Sequence, residues 1–240
     1  MNVELVKLRI AKLLVSLSRI SFWRALALGV APAVEHQHVL RSLAPDGIID
    51  VGANRGQFSL VCRYVKPGVP VVAFEPIPRE ARRFRRVHER EPLVCLIETA
   101  LGATNGVAVL HISKSADSSS LLPIGERQTK LFKDTVEVGT MAVPVSRLDD
   151  FSDYWVGRTR QLLKLDVQGF ELQVLRGGID TLKVCSYVYV ECSEVSLYEG
   201  QALRAEVQAF LSEQGFLLKE RYNEQRSGRE LIQADYLFSR

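Results

Sequence analysis

Ile48-Ile49-Asp50-Val51-Gly52-Ala53-Asn54-Arg55-Gly56 is the stretch that decides the fold of this chain. Apolar residues run up to an acid, glycines follow at 52 and 56, and Phe58, Leu60 and Val61 continue with helical rather than alternating spacing. The spacing predicts a short buried strand, a tight turn and a helix start. Glycine lets such a turn bring the backbone close to a ligand. Open α/β sheets build nucleotide sites this way, at the carboxyl ends of their strands.

Working outward, Val69-Pro70-Val71-Val72-Ala73-Phe74 reads as a second buried strand and also ends in an acid, Glu75. Glu75 follows the glycine turn at about the distance where such folds place a carboxylate for ribose hydroxyls. Leu93–Ile97 reads as a third strand, followed by Thr99, and Val107–Ile112 as an added one carrying His111. The polar run 113–120, with Ser119 and Ser120, reads as a loop over the pocket, and Val143-Pro144-Val145 leads into another connection. Gln161–Leu165 and Tyr187–Val190 are further strands, each capped by an acid, Asp166 and Glu191. Phe216–Leu218 and Ala234–Phe238 have no helix between them and pair as an antiparallel hairpin. The expected fold is α/β: a doubly wound, Rossmann-like sheet, mostly parallel, with an antiparallel C-terminal strand.

The chain has 240 residues, enough for one domain with an appendage, and we expect the boundary near residue 45. A formal net charge of +3 is too small to argue for a nucleic-acid partner. Cysteines 62, 95, 185 and 192 have neither C-x-x-C spacing nor histidine partners, which suits reduced thiols in the cytoplasm. Residues 1–44 differ from the rest. Val3, Val6, Ile10, Leu13, Leu14, Leu17 and Ile20 recur at helical spacing beside Lys7, Arg9, Lys12, Arg19 and Arg24. No apolar run approaches the roughly 18 residues of a spanning helix. Two readings are open: a helix packed on the domain or on a second copy as a homodimer, and a helix lying on the inner, anionic membrane face.

Asp50–Gly56, Phe74-Glu75-Pro76, Ala100-Leu101-Gly102, Ser118-Ser119-Ser120-Leu121 and Lys164-Leu165-Asp166-Val167-Gln168-Gly169-Phe170-Glu171 occur in that order. Together they resemble the FkbM-type methyltransferases, which use S-adenosylmethionine; Gln168 and Phe170 depart from the Glu and Ala that many members carry. The resemblance covers about residues 45–240 and implies methyl transfer to a hydroxyl of a sugar, glycolipid or natural product. S-adenosylmethionine carries an ammonium, a carboxylate, a ribose diol and a sulfonium, so its expected ligands can be named. Asp50 suits the ammonium, the turn at Gly52, Asn54 and Gly56 the methionine part and its carboxylate, Glu75 the diol, and Thr99 the border of the adenine.

Methyl transfer is an in-line displacement, for which the protein supplies position, dryness and a base. Asp166 and Glu191 end central strands and can flank the acceptor, with either one as the base. Ser119 and Ser120 are expected substrate contacts, and His111 is an alternative base. A metal-dependent, catechol-type mechanism would use Asp166 and Glu191 with Glu194, but a convincing third ligand is missing and metal is not favoured. A nicotinamide oxidoreductase shares the strand, turn and distant acid, yet Gly52–Gly56 is not G-x-G-x-x-G. A non-catalytic binding protein is disfavoured by intact acids at four strand ends.

Overall fold

The structure is a computed structural model and describes residues 20–240. The expected basic helix over residues 3–17 lies outside the described residues. Helix α1 (Ile20–Ala27) is followed by a 3-10 turn (Val34–His36) and α2 (Gln37–Ser42). The sheet then begins with β1 (Gly47–Val51), α3 (Gln57–Val65), β2 (Val71–Phe74), α4 (Pro78–His88) and β3 (Val94–Ile97). Next come β4 (Ala100–Leu101), β5 (Gly106–Ser113), a second 3-10 turn (Ala116–Ser118), α5 (Glu126–Leu131) and β6 (Glu137–Ser146). A 3-10 segment (Leu148–Trp155) leads to β7 (Gln161–Leu165), α6 (Glu171–Arg176), α7 (Ile179–Val184) and β8 (Cys185–Ser193). Helix α8 (Arg204–Glu213) and the hairpin β9 (Leu217–Ser227) and β10 (Glu230–Ser239) close the chain.

Seven strands form the main sheet in the order β3-β2-β1-β7-β8-β10-β9. The first five in that order are parallel, and β10 runs antiparallel to both β8 and β9. The expected α/β architecture, including its antiparallel C-terminal end, is what the chain adopts. Buried strands explain the nearly continuous apolar runs: every residue of β1, β2 and β7 is buried. Alternation then sends Ile49, Val51, Leu163 and Leu165 into one face, against Val174, Leu175 and Leu211 of α6 and α8. Ile48 and Leu162 go to the other face, against Val39 and Leu40 of α2 and Phe58 and Val61 of α3. Val39, Leu40 and Leu43 are therefore part of the core although they precede the first strand.

One element departs from the sequence reading. Where only Val143–Val145 stood out, β6 runs for ten residues and joins β4 and β5 in a separate three-stranded sheet. Much of β6 is exposed and Gly139 and Pro144 interrupt it, so the alternating face of Met141, Val143 and Val145 covers only its second half. Its role is to carry the loops that roof the site.

The chain leaves β1 toward β2 and β3, then returns on the other side of β1 as β7. The strand order thus reverses between β1 and β7, which opens a crevice at their carboxyl ends.

Candidate active site

The β1–α3 turn is pinned against the strand that follows it in the sheet. Gly52 has φ +76°, and a Cβ there would lie 1.8 Å from the Asp166 carbonyl oxygen. Only glycine lets β1 and β7 approach this closely at their ends. Asn54 also has positive φ, and its amide donates to Glu75 Oε2 at 2.8 Å. Glu75 Oε1 accepts from the Ile77 amide at 2.7 Å. The carboxylate is thereby fixed at the rim of a cavity with Phe74, Ile77, Leu101, Leu110 and Phe170 among its walls. Burial raises the Glu75 pKa from 4.5 to about 7, against the lowering effect of its two amide bonds.

This cavity fits S-adenosylmethionine on three observations. Its apolar walls suit an adenine, Glu75 is held where a diol can bond it, and Asn54 Oδ1 is a buried acceptor with no partner. That orphaned oxygen matches the ammonium of the methionine part. When bound, the cofactor supplies an electrophilic methyl on a positively charged sulfur. We propose that the ionised form of Glu75 accepts from the ribose hydroxyls, and its raised pKa then makes a prediction. Cofactor affinity should tighten by up to about tenfold between about pH 6 and about pH 8, and Glu75→Gln should bind more weakly and lose that dependence. Calorimetry across this range checks it, and a pH-independent wild-type affinity would remove Glu75 from the diol.

Several expected contacts are corrected. Asp50 is 0% exposed and is not on the cavity wall. It shares the strand face of Ile48, and its Oδ2 accepts from Ser59 Oγ at 2.8 Å while Oδ1 lies 3.4 Å from Lys164 Nζ. The turn amides at 52, 53, 54 and 56 already donate to Phe74, Phe74, Glu75 and Ala53, so they are not free for a carboxylate. Gly56 serves the turn in another way, since a Cβ there would meet His88 Nε2 at 2.5 Å.

Thr99 lines the cavity, but its hydroxyl donates within the neighbouring sheet, 3.1 Å from the Pro144 carbonyl. Ser119 and Ser120 line it too, with hydroxyls engaged in holding the loop: Ser119 Oγ accepts from the Ser113 amide, and Ser120 Oγ donates to the Gln168 carbonyl at 2.7 Å. His111 is not among the residues lining this cavity; it pairs with Glu137 at 2.8 Å on β5, an edge strand of the small sheet.

Asp166 lies where three cavities meet. It borders the cofactor cavity, a second chamber beside Gly52 and Asn54, and a polar cleft. Asp117, from the roofing loop, borders the same three. Lys164 Nζ lies 3.6 Å from Asp166 Oδ2 and 3.5 Å from the Gly52 carbonyl. Burial disfavours the lysine charge, but Asp50, Asp166 and Asp235 outweigh it and hold the ammonium above its usual pKa.

Gln168 organises the acids. Its Nε2 donates to Asp166 Oδ1 at 2.7 Å and to Glu191 Oε2 at 3.0 Å, and its Oε1 accepts from Tyr198 Oη at 2.8 Å. The residue that departs from the family motif is thus the bridge between the two candidate acids. Glu191 also takes the amide of Gln233 at 3.0 Å. Burial, with Asp166, Asp235 and Glu171 nearby, pushes Glu191 well above the usual carboxylate range, so its ionised form is disfavoured. Glu171 is a scaffold: Oε1 accepts from the amides of Val167 and Gly169, which shapes the turn after Asp166. Glu194 is held by Arg204 at 3.1 Å and Tyr236 at 2.5 Å. Among the described residues no three His, Cys, Asp or Glu side chains gather to hold a metal ion.

Sequence reasoning missed Lys164, Gln168, Asp117 and His36 as site residues. The signal was present for one of them, because a lysine inside an otherwise apolar five-residue strand is costly to bury without a partner.

The Methyltransferase FkbM domain matches residues 50–218 of this chain. The 2-O-methyltransferase NoeI of Sinorhizobium fredii is 30% identical over 174 residues, covering 69% of this chain and 72% of that protein. Methyltransferase sdnD of Sordaria araneosa is 28% identical over 194 residues, covering 70% and 73%. With the fold, the glycine turn, Glu75 and the Asp166 motif in place, the chain belongs to the FkbM methyltransferase family and is an S-adenosylmethionine-dependent enzyme.

Proposed function

We propose that the enzyme methylates a hydroxyl of a sugar, a glycolipid or a similarly hydroxylated natural product. The observation that carries this reading is the polar cleft meeting the cofactor cavity at Asp166. Its walls include the side-chain amides of Gln128, Gln168, Asn223, Gln225 and Gln233, and the carboxylates of Asp117, Asp166, Glu191 and Asp235. Amides and carboxylates in such number suit a ligand with many hydroxyls, each both donor and acceptor. NoeI is by its name a 2-O-methyltransferase, which agrees with oxygen as the target atom.

Asp166 and Glu191 frame the place where the acceptor hydroxyl must sit, and both are poorly placed to take its proton. Asp166 has one oxygen on the Gln168 amide and the other facing Lys164. Glu191 receives two glutamine amides and resists ionisation. Their role is to orient the hydroxyl, with Asp166 offsetting the positive charge near sulfur.

A lipid-linked acceptor is supported by the outer surface. Helix α1 buries Phe22 and Ala25 against Leu60 and Val87, and it leaves Trp23 54% exposed. Arg79, Arg82, Arg85, Arg86 and Arg90, on and just after α4, are exposed on the same side of the sheet as this packing. No helix among the described residues is long and apolar enough to cross a membrane, so the contact proposed is peripheral.

A labelled-methyl transfer screen tests the whole reading, using free sugars, octyl glycosides and glycolipids in anionic vesicles. The expected product carries label on a sugar oxygen, with the vesicle acceptors preferred. Label on nitrogen or carbon, or no transfer to any hydroxyl, would reject hydroxyl methylation; equal rates with free and vesicle-bound acceptors would reject the membrane part alone.

A further inference from the structure

We infer that His36, from the segment ahead of the family match, takes the proton of the acceptor hydroxyl, with Tyr189 and Asp235 holding its ring. This rests on the hydroxyl-methylation reading above. His36 closes the 3-10 turn before α2, and its ring meets Phe58 and Tyr189 edge-on at 5.3 Å and 5.6 Å between centroids. The orientation is therefore fixed by packing on both sides.

We place the ring proton on Nδ1. Tyr189 Oη donates to Asp235 Oδ2 at 3.0 Å, and burial beside Asp235 keeps that phenol protonated. With its one proton spent there, Tyr189 accepts from His36, whose Nδ1 lies 3.0 Å away. Asn223 Nδ2 lies 3.3 Å from Nδ1 as well, but its two protons serve the shorter bonds to Asp235 at 2.7 Å and Tyr189 at 3.2 Å. In this arrangement the lone pair of the neutral ring is on Nε2. Asp235 Oδ2 lies 3.6 Å from Nδ1, close enough to stabilise the charge that the ring gains.

His36 borders both the polar cleft and the chamber beside Gly52 and Asn54, and Asp166 is common to the two. The hydrogen bonds of the ring run through Nδ1. An acceptor in the cleft that reaches toward the cofactor cavity meets walls to which both His36 and Asp166 contribute. In the step, the hydroxyl O–H bond breaks and an N–H bond forms at Nε2. The oxygen pair forms the bond to the methyl carbon, whose bond to sulfur breaks with its pair left on sulfur. The imidazolium, held against Asp235, then returns its proton to water.

The test uses the full chain, octyl glycosides of common hexoses and deoxyhexoses as acceptors, and His36→Gln, His36→Ala and Asp235→Asn. Both His36 variants should lose about 10²- to 10⁴-fold in kcat, with acceptor KM and cofactor Kd changed by less than about fivefold. Added imidazole should restore part of the His36→Ala rate and none of an Asp166→Asn rate. Asp235→Asn should lower kcat by a smaller factor at unchanged KM, as expected of a positioning residue. Retained kcat in His36→Gln with normal cofactor binding overturns the assignment and leaves hydroxyl methylation standing. Lost kcat that imidazole does not restore, in a variant that still binds cofactor, overturns it as well. Wild-type protein that methylates no glycoside rejects the functional reading first.

Discussion

Gly52→Ala is expected to abolish measurable binding of S-adenosylmethionine and to lower the melting temperature by roughly 6–12 °C. The added methyl would lie 1.8 Å from the Asp166 carbonyl oxygen and 2.9 Å from its carbon. Both obstacles are backbone, so no side-chain rotation relieves the clash. Holding alanine at φ +76° adds about 1–2 kcal/mol, and moving the packed strand end adds about 1–3 kcal/mol. The chain can relieve the contact only by parting β1 from β7 at their carboxyl ends. That movement shifts Asn54 and Asp166, one on each side of the crevice, and with them the cofactor cavity. Gly68→Ala is the matched control, because a Cβ there meets nothing within 4 Å and its φ is ordinary. Thermal melts and calorimetry on the two variants check this. Unchanged cofactor affinity in Gly52→Ala would show that β1 and β7 can separate without disturbing the site.

The parts of the site legible in the sequence are those that depend on local pattern. Strand-end acids, a glycine turn and a carboxylate at nucleotide-site distance are short-range signals, and they single out Gly52, Asn54, Glu75 and Asp166, which all line the crevice. The direction of Asp50 was also readable in principle. Ile49 and Val51 belong to one face of a buried strand, so Asp50 must share the face of Ile48 and look away from the crevice. Other features were out of reach because they join distant segments. Gln168 bonds Glu191 across 23 residues, and His36 reaches Tyr189 across 153. The same holds for Asp50 and Lys164, which sit opposite each other only through the parallel register of β1 and β7. His111 was hard to place because an added strand above a pocket has two faces, and the sequence of β5 does not reveal which is inward.

Lys164→Met is expected to be the most destabilising conservative change at the site, costing about 3–5 kcal/mol. Asp50 is fully enclosed, and besides Lys164 its hydrogen-bond partner is Ser59 alone. Removing the ammonium leaves a buried carboxylate without its counter-charge and also frees Asp166 and the Gly52 carbonyl, which Lys164 contacts at 3.6 Å and 3.5 Å. The aliphatic stem is not the issue, since methionine keeps most of that volume and can still pack near the Phe58 ring that Nζ now approaches at 5.5 Å. The double variant Asp50→Asn with Lys164→Met removes both charges, and it should recover about half or more of the lost stability. Cofactor binding should not recover with it, because Asp166 and the glycine turn still lack the cation that ties them together. Denaturant melts give the first result and calorimetry the second. A double variant no more stable than Lys164→Met would mean that the lysine acts through its contacts with Asp166 and Gly52 alone. Full recovery of cofactor binding would mean that the buried pair serves folding and the strand-end turn needs no cation. The split between these readouts separates the fold-building half of the Asp50–Lys164–Asp166 row from the half that serves the methyl-transfer site.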